Sequence, residues 1–208
     1  MTDSQPPTRG DAAETLCFGG SFNPIHIGHL LVARAVAEQK NFRRGVLIPT
    51  GVPPHKQATA ELAAADERLA MCQLVAKDDP LFEVEDLELR RAGPSFTLDT
   101  ARTLKACGWD RVNWLIGADV LSFLPKWHQP LELLREVTLW VVRRPGHGVD
   151  WATLPSEYGT LRSQVVDGPL IDVSASDVRR RVRQGLSIRY MVPSAVERYI
   201  TERELYRS

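Results

Sequence analysis

The sequence predicts an α/β fold built on a doubly wound parallel sheet, and three observations predict it. Short apolar runs ending at Gly or Pro alternate with amphipathic stretches of helical length through about residue 142. Two of those runs, Val46-Leu47-Ile48 and Leu139 to Val142, are almost continuously apolar, as strands covered on both faces must be. A Gly-Gly turn joins the first run to the first helix, at the kind of crossing where open parallel sheets bind ligands.

The elements follow in order. Residues 1–14 (MTDSQPPTRGDAAE) are polar, lack the apolar segment of a signal peptide, and are expected to form a disordered tail. A single domain is expected over 15–208, since no linker or internal repeat divides the chain. Leu16-Cys17-Phe18 is the first strand, closed by Gly19-Gly20. From about Gly28 to Gln39, Leu30, Ala33 and Ala37 share one helical face. Val46-Leu47-Ile48 is the second strand, closed by Pro49. Asp66 is placed to cap a helix carrying Leu69, Cys72, Val75 and Ala76. Phe82 and Val84, with Leu87 as a candidate extension, suggest a third strand. Thr97 to Cys107 reads as a helix stopped by Gly108, and Val112 to Ile116 as a strand ending at Gly117. A short helix over Leu131 to Arg135 precedes the strand Leu139 to Val142. Residues 145–168 show scattered Gly and Pro with little periodicity. Leu170-Ile171 is a candidate last strand. Ser176 to Arg183 and a final amphipathic segment with Val196, Tyr199 and Ile200 make a small helical C-terminal part.

Composition narrows the function classes. A chain of 208 residues, 43% hydrophobic and 25% charged, can bury its own core and is neither fibrous nor disordered in bulk. The formal net charge of zero argues against a protein that coats duplex nucleic acid, which needs excess Lys and Arg. Cys17, Cys72 and Cys107 are odd in number and widely spaced, so neither a disulfide frame nor a zinc site is suggested. No apolar run approaches the ~20 residues of a membrane span. The expectation is a cytoplasmic protein with reduced thiols, no nucleic-acid partner and no membrane partner. A homo-oligomer stays open.

Gly19-Gly20-Ser21-Phe22-Asn23-Pro24-Ile25-His26-Ile27-Gly28-His29 occupies the first strand-to-helix crossing. Gly19 and Gly20 remove side chains where a phosphate would approach backbone N–H groups, and the following helix points its positive end there. His26 and His29, three apart, lie on one side of that helix start and can reach one anion. A metal-binding HxxH pair is the competing reading, but no nearby Cys or carboxylate cluster completes a site. Further on, Val173-Ser174-Ala175-Ser176-Asp177-Val178-Arg179 offers a second anion site, with Ser176 as candidate cap and Arg179 one turn in. On these residues alone the favoured reading is a routine capped helix with a solvated Arg face (Arg179, Arg180, Arg181, Arg183).

Other segments are more selective. Pro53-Pro54-His55-Lys56 stiffens a loop from which Lys56 could meet a phosphate. Gly93-Pro94-Ser95-Phe96-Thr97-Leu98-Asp99-Thr100 opens a helix whose hydroxyls and N–H groups suit an anion, or simply cap it. Trp127, after Leu124-Pro125-Lys126, could stack on a flat heterocycle or be ordinary packing. Gly117 and Asp119 close the central strand, and Arg143-Arg144-Pro145-Gly146 leaves the last strong one.

The segment Gly19 to His29 resembles the GxFxPxHxGH signature of the nucleotidyltransferase superfamily. The stretches GGSFNPIHIGHL, PPHK, GPSFTLDT, IGAD with LPKW, VVRRPG and VSASDVR, in that order, are similar to bacterial nicotinate-nucleotide adenylyltransferases. The closing YMVPSAVERYITERELY is similar as well, whereas 1–14 and 147–168 lie outside the resemblance. Ala175 replaces a serine of the family's ISSTxIR motif, and Phe96 a usual tyrosine. The resemblance implies a Rossmann-like domain that joins AMP from ATP to nicotinic acid mononucleotide. It implies catalytic roles for His26, His29 and Arg179. It implies ATP contacts at Gly19, Gly20, Ser21, Phe22, Gly117, Asp119, Arg143, Ser174 and Ser176. Acceptor contacts fall to Lys56, Thr97, Asp99 and Trp127. Mg²⁺ would ride mainly on the ATP oxygens. The rivals are a phosphopantetheine adenylyltransferase, from which GPSFTLDT and LPKW point away, a class I tRNA synthetase fragment, which lacks a KMSKS-like loop here, and a nucleotide-binding regulator without catalysis.

Overall fold

The computed structural model describes residues 9–54, 62–144, 146 and 148–207. Six strands form one parallel sheet: β1 (Thr15–Gly20), β2 (Arg44–Pro49), β3 (Phe82–Val84), β4 (Asn113–Gly117), β5 (Thr138–Arg143) and β6 (Val165–Asp167), in the order β3-β2-β1-β4-β5-β6. This is the doubly wound order, which reverses at β1, so the chain leaving Gly20 sits at the topological switch point. In register, Leu16 lies beside Asn113, Trp114 beside Leu139, and Val141 beside Val165. The helices are α1 (Ile27–Lys40), α2 (Ala65–Asp78), α3 (Leu87–Arg90), α4 (Thr97–Ala106), α5 (Pro130–Glu136), α6 (Ala175–Arg183) and α7 (Ser194–Glu202).

The described residues divide into two compact units, each drawn from separated stretches of chain. One comprises Met1–Gly19, Val32–Val46 and Phe96–Leu170, and the other Gly20–Leu31, Leu47–Ser95 and Ile171–Ser208. In the first, Leu16, Cys17, Leu115, Leu139 and Val141 are buried on the strands, and Val36, Leu98, Ala101 and Leu104 on α1 and α4. In the second, Leu47, Ile48, Met71, Cys72, Val75, Val196 and Ile200 form the core.

Several expectations are corrected. Arg9–Glu14, assigned to a disordered tail, is a 3₁₀ helix in which Ala12 is buried. The Asn113 amide ties its end to β1 by donating to the Ala13 and Thr15 carbonyls at 3.4 and 3.1 Å. Asp66 does not cap α2. The cap position is Ala64, and Asp66 sits in the first turn, where a carboxylate meets the helix dipole favourably. Leu87 belongs to α3, because the Glu85 N–H makes a last bond to the Leu47 carbonyl at 3.0 Å and Asp86 then begins a turn. Leu170-Ile171 is not a strand. The last strand is β6, and the Gly168 N–H closes it on the Arg143 carbonyl at 2.9 Å. Tyr158 and Leu161 anchor the preceding 3₁₀ turns by burial.

Candidate active site

The histidine turn is built locally. Gly19 passes so close to the Trp114 indole that any Cβ there would collide with it. Phe22 adopts a left-handed φ of 44°, uncommon for a bulky residue, with its ring buried. That ring meets His29 edge-on, with centroids 5.2 Å apart. His26 and His29 stack with centroids 3.6 Å apart and planes 26° from parallel. The His29 N–H donates to the His26 carbonyl at 3.0 Å, and the His26 N–H donates to His29 Nδ1 at 3.2 Å. With Nδ1 accepting, the neutral His29 ring carries its proton on Nε2. His26 is 6% exposed, and its Nδ1 is buried with no hydrogen-bond partner among the described residues. Buried polar atoms are paired as a rule, and this Nδ1 is an exception to it among the described residues. Burial lowers the His26 pKa from 6.5 to about 4, which keeps the ring neutral at pH 7. A Cβ at Gly28 would stand 3.0 Å from His26 Nδ1 and 3.2 Å from the Val173 carbonyl oxygen, so a side chain there would press on the His26 ring.

The second motif comes to the same loop. Ser174, not Ser176, caps α6. It has the extended backbone of a cap, its Oγ accepts the Asp177 N–H at 3.1 Å, and its hydroxyl donates to Asp177 Oδ2 at 3.0 Å. Ser176 lies in the first turn, where Arg179 Nη2 donates to its Oγ at 3.4 Å. Arg179 Nη1 donates to the Asn23 carbonyl at 2.9 Å, which joins α6 to the loop entering His26. Asn23 Oδ1 in turn accepts the Ala63 N–H at 3.0 Å. Arg180 pairs with Asp177 and Arg181 donates to the Ser187 carbonyl, so these arginines do not form one uniform solvated face. Ser21, Phe22, His26, His29, Ser176 and Arg179 thus gather around one loop. Gly20 lies at its start, its carbonyl accepting the Thr50 N–H at 2.9 Å.

The other unit holds a second cluster. Thr97 and Asp99 stand half-buried in the first turn of α4, after Phe96 at the cap. The Phe96 ring stacks on His128, with centroids 4.3 Å apart and planes 20° from parallel. His128 follows half-buried Trp127, which ends the 3₁₀ helix Ala118–Lys126. Gly117 ends β4 with Asp119 exposed two residues on. Arg143 leaves β5 already bound to Asp167, at 2.5 and 3.3 Å, so a phosphate there would compete with a carboxylate. His55 and Lys56 lie outside the described residues. Asn23, Arg68, His128 and Asp167 were not singled out from the sequence. The only signals available were the Asn-Pro step before His26 and the position of His128 beside Trp127.

A family model described as cytidylyltransferase-like matches residues 17–181. A probable nicotinate-nucleotide adenylyltransferase of Thermomicrobium roseum is 41% identical, over 92% of this chain and 90% of that one. A probable enzyme of the same name from Geobacillus kaustophilus is 40% identical, over 91% and 84%. The solved structure of Plasmodium falciparum nicotinic acid mononucleotide adenylyltransferase complexed with NaAD superposes with a TM-score of 0.73, covering 92% of this chain and 96% of that one. Its 17% identity makes this a likeness of fold. Identity at this level over nearly the whole of both chains settles the family: the chain belongs to the nicotinate-nucleotide adenylyltransferases.

Proposed function

We propose that this protein transfers the adenylyl group of ATP to nicotinic acid mononucleotide. An acceptor phosphate oxygen attacks the α-phosphorus and the bond from that phosphorus to the bridging oxygen breaks. The products are nicotinic acid adenine dinucleotide and pyrophosphate. The acceptor oxygen is already an anion, so no general base and no covalent enzyme intermediate are required. The protein's task is positioning and charge stabilisation. The observation that carries this reading is the stacked His26–His29 pair on a glycine turn, joined through Asn23 to Arg179.

In this reading His29 offers its Nε2–H to the triphosphate, and His26 and Arg179 flank the same charge. Gly19, Gly20, Ser21 and Phe22 supply backbone, while Ser174 and Ser176 open the helix carrying Arg179. Gly117, Asp119 and Arg143 take the rest of the nucleotide. Thr97, Asp99 and Trp127 receive the acceptor's ring and carboxylate, with Lys56 on its phosphate. A divalent metal generally accompanies ATP in this family. Among the described residues no three His, Cys, Asp or Glu stand together as a cage. In this reading Mg²⁺ is carried mainly by the triphosphate oxygens, neutralising charge there. No helix among the described residues is long and apolar enough to cross a membrane, and a cytoplasmic location fits the soluble substrates.

The test is direct. The protein is incubated with Mg·ATP and, separately, nicotinic acid mononucleotide, nicotinamide mononucleotide or phosphopantetheine, and products are identified by mass. The dinucleotide of nicotinic acid is expected. Turnover of phosphopantetheine alone would overturn the reading.

A further inference from the structure

Arg68, on α2, is among the largest side chains in the protein with almost no exposure, at 1%. Among the described residues no carboxylate pairs with it. Its guanidinium is instead surrounded by backbone oxygens. Nε donates to the Ala63 carbonyl at 3.1 Å, Nη1 to Ser21 at 2.9 Å and Thr50 at 2.7 Å, and Nη2 to Gly51 at 3.3 Å. Three segments distant in sequence meet on one cation: the loop after β1, the loop after β2, and the start of α2.

The bond directions explain what this achieves. A trans peptide is planar, so a carbonyl drawn one way turns the next N–H the other way. Two of the clamped peptides show it. With the Thr50 and Gly51 carbonyls on Arg68, the Gly51 and Val52 N–H groups both donate to Ser95 Oγ, at 3.1 and 3.3 Å. The same geometry at Ser21 turns the Phe22 N–H away from Arg68 and fixes the entry to Phe22, the residue held at a φ of 44°. A bulky residue in that region persists only where its surroundings over-determine it. Phe22 carries the ring that meets His29, and His29 stacks on His26. A second path leaves through Ala63, whose carbonyl accepts from Arg68 and whose N–H donates to Asn23. The Asn23 carbonyl then accepts from Arg179.

We propose that Arg68 is a positioning residue for adenylyl transfer: from below the glycine turn it holds both the histidine pair and Arg179 in place. This rests on the proposed reaction, and it assigns Arg68 no contact with substrate. A planar fork is needed because four carbonyls at different directions must be met at once, which an ammonium cannot do.

The experiment uses the full chain with Arg68→Lys and Arg68→Met, each first checked for a cooperative thermal melt. For a folded variant, kcat should fall about 100-fold, the scale of a misplacement of about 1 Å, while the acceptor KM stays within roughly threefold. Independently of activity, the ¹H–¹³C signals of the His26 and His29 rings, assigned by His26→Gln, should move as the stack is disturbed. A folded Arg68 variant with near-normal kcat and unmoved histidine signals overturns the proposal. If neither variant folds, Asn23→Ala cuts the path to Arg179 while leaving Arg68 in place. It should lower kcat at least tenfold, and full activity would overturn the proposal. An inactive parent would sink the proposed reaction, yet the histidine signals would still decide the role of Arg68.

Discussion

Replacing His26 with Gln should make the protein less sensitive to acid. Burial holds the folded-state pKa of His26 at about 4, against 6.5 for a free imidazole. Between those values the unfolded chain binds a proton that the folded chain refuses. Stability is therefore intact above pH 6.5, falls as the pH falls, and has lost the whole contribution once pH 4 is passed. The full span is worth roughly 3 kcal/mol at 1.36 kcal/mol per pH unit, and between pH 7 and pH 5 about 2 kcal/mol is lost. Because the ring is buried, solvent screening discounts this little. Urea unfolding of parent and His26→Gln at pH 7 and pH 5 measures it, since every other titrating group is common to both and cancels. The parent should lose about 2 kcal/mol more than the variant over that interval. Equal losses would mean that the His26 ring is solvated or paired in solution, and the neutral-histidine reasoning would fail with it.

The remaining predictions concern turnover. His29→Ala should lower kcat by the equivalent of ~2.7–4 kcal/mol while leaving the acceptor KM nearly unchanged, as loss of one charge-stabilising donor does elsewhere; steady-state kinetics showing near-parent kcat would contradict the role given to it. Arg179→Lys should behave as a severe change on the ATP side alone, because an ammonium cannot both hold the Asn23 carbonyl and fork onto phosphate. A variant altered only in acceptor KM would place Arg179 on the wrong substrate. Nicotinic acid mononucleotide should be favoured over the amide by at least about tenfold in kcat/KM, since the amide directs NH₂ at the N–H donors of the α4 start. Trp127→Ala should weaken both acceptors, whereas Thr97→Ala should narrow the gap, and equal rates in the parent would contradict that pocket.

What the sequence disclosed follows from where the information lies. β1, β2, β4 and β5 are legible because each carries a short, nearly continuous apolar run, and the Gly or Pro that ends the first three is local too. β6 offers only Val165-Val166 as an apolar run and is fixed by pairing with Val141 and Val142, so it hides in a stretch without periodicity. The cap of α6 was misread by two residues because Ser174 and Ser176 are equivalent in sequence, and only Ser174 has Asp177 three residues on to complete the reciprocal bonds. His26 and His29 were legible as a pair because three-residue spacing is a local rule. Asn23 and Arg68 were not, since what distinguishes them is bonding to Ala63, Ser21 and Arg179, brought near only by the fold. A buried arginine on a helix otherwise reads as a solvated charge.

Burial lowers the pKa of both kinds of cationic group around the proposed phosphate site, with different outcomes, and in the proposed reaction this bears on catalysis. Arg68 and His26 are comparably enclosed. A guanidinium keeps its proton under that pressure, because its pKa starts so high that even a lowered value leaves it charged at neutral pH. An imidazole starts near neutrality and yields it. The free protein thus carries a fixed charge beneath the loop and a neutral, chargeable ring within it. In the proposed reaction, a triphosphate reaching the loop would oppose the desolvation that depresses His26 and draw its pKa upward. Charge would then accumulate on the departing pyrophosphate as the bond to the α-phosphorus breaks, and a proton taken up from solvent by His26 would be held more tightly along the reaction. An interaction that strengthens toward the transition state raises kcat, whereas a histidine already charged in the free protein would hold ATP and transition state alike and mainly lower KM. The burial that costs the fold stability in acid is, on this reading, what reserves the histidine's charge for the chemical step.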